Sequence, residues 1–178
     1  MTDFLNLPPY RKPYVKKAKV VQGPTKYDHK KLYYDARRIM FERDNPVAWD
    51  AGHYFDKDYP KISETNGFTR YIEDVINNLG HHAERVNTMG VPVKQKDGSI
   101  KFRRSGSTKG STDIHCEIKI PTQALPVGWK IEVKNKDTVL KAQVKYAAKM
   151  QRVGVLHSII RVGELDLFWD EYYRIMQL

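Results

Sequence analysis

The chain has 178 residues, 40% of them hydrophobic, and carries 31 Lys and Arg against 21 Asp and Glu for a net charge of +10. That length suits one domain with its own core and a short extension. No apolar run approaches the ~20 residues of a membrane span, and the N-terminus lacks the basic-then-apolar pattern of a secretory signal, so neither a membrane partner nor export is expected. A single cysteine, Cys116, cannot form an internal disulfide and predicts a reducing, cytoplasmic setting. The charge, with a pI near 9.6, calls for a polyanionic partner, and nucleic acid is the commonest one.

Residues 1–31 hold Arg11, Lys12, Lys16, Lys17, Lys19, Lys26, Lys30 and Lys31 against Asp3 and Asp28, interspersed with prolines. Such a segment packs poorly on itself. It reads equally as a phosphate-gripping arm and as a solvated extension. A helix is predicted from Leu32 to Arg43, stopped by Asp44-Asn45-Pro46, with Tyr33, Ala36, Ile39 and Met40 on one face. The aromatic loop that follows (Trp49, His53, Tyr54, Phe55, Tyr59) suits a lid over the core better than a base-stacking surface.

The clearest helix begins after Asn66. Phe68, Tyr71, Ile72, Val75, Ile76 and Leu79 repeat at the spacing of one buried stripe, and Gly80 ends it. His81 and His82 are adjacent and lack a third ligand at zinc spacing. Ala83 to Met89 reads as a strand, with Arg85 and Asn87 on its polar face as a phosphate-binding or ligand-orienting pair. Val91 to Phe102 reads as a hairpin turned at Asp97-Gly98. The segment from Arg103 and Arg104 through Lys109 to Gly110 is a basic loop without a Walker-type phosphate signature; Arg103, Arg104 and Lys109 are read as DNA-backbone contacts.

The next two strands carry the chemistry. Side chains alternate across a strand, so Ile114, Cys116, Ile118 and Ile120 share one face and leave Asp113, His115, Glu117 and Lys119 on the other. After a turn marked by Pro121, Pro126 and Gly128, Ile131 and Val133 point one way while Glu132 and Lys134 point the other. Folding the two strands antiparallel, with their apolar faces in one core, brings Asp113 beside Glu132 and Lys134. Two carboxylates at a cation and one ammonium near a scissile phosphate meet the needs of magnesium-assisted phosphodiester hydrolysis. Acid-x-Lys triplets also occur at Asp28-His29-Lys30 and Glu117-Ile118-Lys119. The first lies in the basic arm, and at ~3.3 Å per residue Glu117 stands roughly 13 Å from Asp113. Beyond these strands, a helix from Thr138 to Val153 bears a stripe of Lys141, Lys145, Lys149 and Arg152, with Gln143 projecting nearly opposite it. A strand over Val155 to Arg161 and a helix from Glu164 to Met176, packing through Leu165, Phe168, Tyr172 and Ile175, complete the chain.

In this order, the helix from Asn66, Gly110-Ser111-Thr112-Asp113-Ile114, Ile131-Glu132-Val133-Lys134 and the helix of Gln143 resemble the VRR-NUC branch of the PD-(D/E)XK nucleases. The resemblance runs from about residue 63 to 175 and is greatest to small stand-alone members encoded by phages and bacterial mobile elements. It implies an α/β fold with a restriction-endonuclease-like core, a mixed β-sheet flanked by helices. The chain would then divide into a basic N-terminal part, 1–62, and a nuclease domain, 63–178. The resemblance further implies Asp113, Glu132 and the Val133 carbonyl as ligands of Mg2+, with Mn2+ able to substitute. Lys134 would polarise the attacking water, and Gln143 would be the accessory residue of the following helix. Where many members carry a helix glutamate, this chain reads Glu64-Thr65-Asn66. The implied activity is a DNA endonuclease, either nonspecific or selective for branched DNA and acting as a homodimer. The alternative is a non-catalytic nucleic-acid-binding protein.

Overall fold

The computed structural model describes residues 25–55, 58–86, 91–103 and 111–178. The basic arm through residue 24 lies outside the described residues. Among the described residues, five helices and six strands follow in the order α1 (His29–Asp44), α2 (Pro46–Asp50), α3 (Thr65–Asn78), β1 (His82–Arg85), β2 (Val91–Lys94), β3 (Ile100–Arg103), β4 (Ile114–Ile118), β5 (Val127–Lys134), α4 (Lys141–Arg152), β6 (Leu156–Arg161) and α5 (Leu165–Met176). Strands β1-β4-β5-β6 form one mixed sheet, antiparallel except for the parallel β5–β6 pair. A separate hairpin joins β2 and β3. The protein is therefore α/β, with helices on both faces of a mixed four-stranded sheet. Among the described residues, no helix is long and apolar enough to cross a membrane.

The core forms where the predicted stripes meet. Phe68, Tyr71, Ile72, Val75 and Ile76 of α3 are fully buried against Ile114, Ile118, Trp129, Ile131 and Ile160 of the sheet. Each such side chain contributes roughly 1.5–3 kcal/mol of burial free energy. From α5, Phe168 stacks on Trp129 with ring centroids 5.8 Å apart, so α3 and α5 cover the same face. Helix α4 lies on the other face, where Tyr146 rests against the His157 ring.

Two details of α3 fix where the sheet begins. A Cβ on Gly67 would come within 2.2 Å of the Lys61 carbonyl oxygen, so only glycine lets the preceding segment pass this close to the helix. At the other end, the Asn77 side chain accepts from Ala83 N at 2.8 Å and donates to Ala83 O at 3.0 Å, which clamps β1 to the helix.

Several boundaries shift from the sequence reading. Helix α1 starts one turn early, at His29, because Asp28 accepts from Lys31 N and caps it. Its inner face consists of Tyr33 and Ala36, while Ile39 is 45% exposed. Tyr33 stacks on Tyr71 and joins the main core. In the aromatic loop Tyr59 packs on Tyr33 and Tyr71, Phe55 and Trp49 pack on Phe41, and Tyr54 is exposed. Strand β1 ends at Arg85, short of the predicted Met89. Residues 87–90 lie outside the described residues.

Candidate active site

The β4–β5 register pairs Ile114 with Ile131. One step further along the same antiparallel ladder sets Asp113 opposite Glu132, on the sheet face away from the core. The main chain of Asp113 is held by Val86 N, which donates to its carbonyl at 2.8 Å. Its side chain is held by Val133 N, which donates to Oδ2 at 2.8 Å. One carboxylate oxygen of Asp113 is thus tied to β5, at the residue between Glu132 and Lys134.

Glu132, Lys134 and Gln143 are all buried, at 4%, 8% and 7% exposure. The Lys134 ammonium stands 3.0 Å from Glu132 Oε1, and Gln143 Nε2 donates to the same oxygen. Leu140 N donates to Gln143 Oε1 at 2.9 Å, which sets the amide so that its NH2 faces the carboxylate. Gln143 reaches the sheet because it sits on the inner side of α4, whereas Lys141, Lys145, Lys149 and Arg152 are exposed. Glu132 Oε2 is buried without a hydrogen-bond partner among the described residues. Burial, then the Asp113 carboxylate, push the Glu132 pKa above the usual range, and Lys134 opposes that shift.

A buried carboxylate oxygen with no donor, beside a second carboxylate, is a donor set suited to a hard divalent cation. Asp113, Glu132 and the Val133 carbonyl fit the group that the family resemblance implies. Among the described residues, no three or more His, Cys, Asp or Glu side chains are grouped to hold a metal ion, so any cation here would rest on these two carboxylates with backbone oxygen and water.

The proposed DNA contacts fare differently. Arg85 pairs with Ile114 and therefore sits on the α3 side of the sheet, where its guanidinium donates to Asn66 Oδ1 at 2.8 Å. The polar-face reading of Arg85 is thus corrected. Ala83, two residues earlier, is buried in the core, and Arg85 shares its face at the strand end where the core opens to solvent. Arg103 lies in β3, paired with Val91, and its side chain is not described. Asn87, Arg104 and Lys109 fall outside the described residues.

The structure also assembles groups to which the sequence reading gave no role. Ser111 and Thr112, just before Asp113, bury hydroxyls that have no partner among the described residues. On the Asp113 face, Glu84, His115, Lys130 and His157 stand in one row across all four strands. Period-2 alternation, extended back from Glu132 and across to β6, would have placed Lys130 and His157 there; pairing them needed the register.

Comparison with protein-family models, curated proteins and solved structures finds no match to this chain.

Proposed function

We propose that the chain is a Mg2+-dependent endonuclease that hydrolyses DNA phosphodiester bonds on the restriction-endonuclease-like plan of the VRR-NUC nucleases it resembles. One observation carries the reading: Asp113 and Glu132 face each other across adjacent strands while Lys134 and Gln143 converge on Glu132. The net charge of +10 supports a nucleic-acid substrate.

A bound Mg2+, or Mn2+, would neutralise the two carboxylates, polarise the scissile phosphate and make a nearby water more acidic. Asp113, Glu132 and the Val133 carbonyl would hold it. Lys134 is placed to orient the attacking water and to stabilise the charge that builds on the phosphoryl oxygens. The water oxygen bonds to phosphorus and gives up a proton to solvent, the opposite P–O bond breaks, and the leaving alkoxide takes a proton from solvent. Gln143 acts through Glu132: it keeps one oxygen engaged and so fixes the direction of the other. Branched DNA and a homodimeric assembly extend the same proposal, as does a location in the cytoplasm of a bacterial cell or phage-infected host, where Cys116 stays reduced.

The rival reading, a nucleic-acid-binding protein without catalysis, draws on the same ion pair. A buried Glu132–Lys134 pair completed by Gln143 is also how a fold satisfies two charges with no chemistry to perform. Incubating plasmid, linear, flap and four-way-junction DNA with the full chain, with Mg2+, Mn2+ or EDTA, decides between them. Metal-dependent cleavage that Asp113→Ala and Glu132→Ala both abolish is expected. Binding to every substrate with cleavage of none would establish the rival.

A further inference from the structure

Lys130 occupies the centre of the row beside the candidate active site. Its Cα partners are His115 on β4 and His157 on β6, and Glu84 ends the row two strands away. The residue is half-buried, and its ammonium forms no hydrogen bond or ion pair with the described residues. The flanking imidazoles each keep a buried Nε2 without a partner among the described residues. Glu84 acts on Lys130 through its charge but without a hydrogen bond or ion pair among the described residues, so this cation is drawn partly out of water, at a cost in free energy, with no contacting anion to compensate. Two unpartnered ring nitrogens on either side add to that cost. Such an arrangement answers to a ligand that brings negative oxygen.

Position identifies the ligand. Lys130 is two residues before Glu132 on β5, on the same face and about 7 Å along the strand. That spacing is close to the step between successive phosphates of a nucleic-acid strand. We propose that Lys130, framed by His115 and His157, seats a second phosphate of the bound DNA strand, adjacent to the phosphate held at Asp113 and Glu132. The ammonium contacts the phosphate oxygens directly. The subsite rests on the nuclease reading for the position of its neighbour, and it selects a chain of at least two phosphates over a single phosphodiester.

The test uses thymidine oligomers with one or two internal phosphates, titrated calorimetrically into the full chain with calcium present. The second phosphate should tighten binding about tenfold, as a charge-assisted contact does. Lys130→Gln should erase that step and Lys130→Arg should keep it. Replacing the second linkage by a neutral methylphosphonate should erase it in the unaltered protein, which removes any dependence on how the variant folds. An undiminished step in Lys130→Gln, or no step in the unaltered protein, overturns the subsite. A Lys130-dependent step, in a protein that cleaves no DNA with Mg2+ or Mn2+, leaves the subsite standing and removes the nuclease reading.

Discussion

The carboxylate of Asp113 accepts the backbone amide of Val133 at 2.8 Å, so the residue read as a metal ligand also ties β4 to β5 beyond the last paired residues of the ladder. Its two roles separate by substitution. Asp113→Asn keeps an acceptor for the amide and should melt within about 1 kcal/mol of the unaltered chain. Asp113→Ala leaves that amide unpaired and should lose roughly a further 1 kcal/mol. Both should lose cleavage by at least about 100-fold. Thermal melts beside a plasmid-nicking assay check this, and robust cleavage by Asp113→Asn would remove Asp113 from the chemistry.

Glu132 makes stability depend on pH in a defined direction. Its pKa is raised in the folded state, so between the ordinary glutamate value and the raised one the folded chain holds more proton than the unfolded chain. Stability therefore falls as pH rises through that window. Melting temperatures of metal-free protein should show this loss, and Glu132→Gln should lack it. Added Mg2+ should offset it, because the cation stabilises the ionised pair. A stability that rises across the window relative to Glu132→Gln would contradict the burial argument.

Gln143 acts on the reaction only through Glu132 and Leu140 N. Gln143→Leu keeps the volume, leaves Glu132 Oε1 to Lys134 alone and should reduce activity or metal affinity by about 10- to 100-fold. Raising the Mg2+ concentration should recover part of the rate, whereas Lys134→Ala, which removes the cation beside the phosphate, should stay impaired at saturating metal. If both variants respond to metal alike, the two residues do not have separate tasks.

Gly67 offers a control away from the chemistry. Gly67→Ala places a methyl within 2.2 Å of the Lys61 carbonyl oxygen, and overpacking against backbone costs about 1–3 kcal/mol. Denaturant midpoints should fall accordingly, and cleavage per folded molecule should stay the same.

Alternation along β4 and β5 was legible in the chain: it assigned Asp113, Glu132 and Lys134 to the face opposite the isoleucines, and helical spacing turned Gln143 away from the lysines. These patterns repeat every few residues, so the local backbone dictates them. Arg85 was misplaced by the same kind of reasoning, because its face depends on where Ala83 meets Cys116 and on how soon β1 ends. Alternation put Asp113 beside Glu132 only on an assumed antiparallel pairing; the register that sets them opposite, the direction of the Gln143 amide and the alignment of His115, Lys130 and His157 were decided by the tertiary structure. Each depends on strand register or on a contact between segments far apart in the chain, and a one-residue slip, invisible in composition or period, would send every one of those side chains to another neighbour.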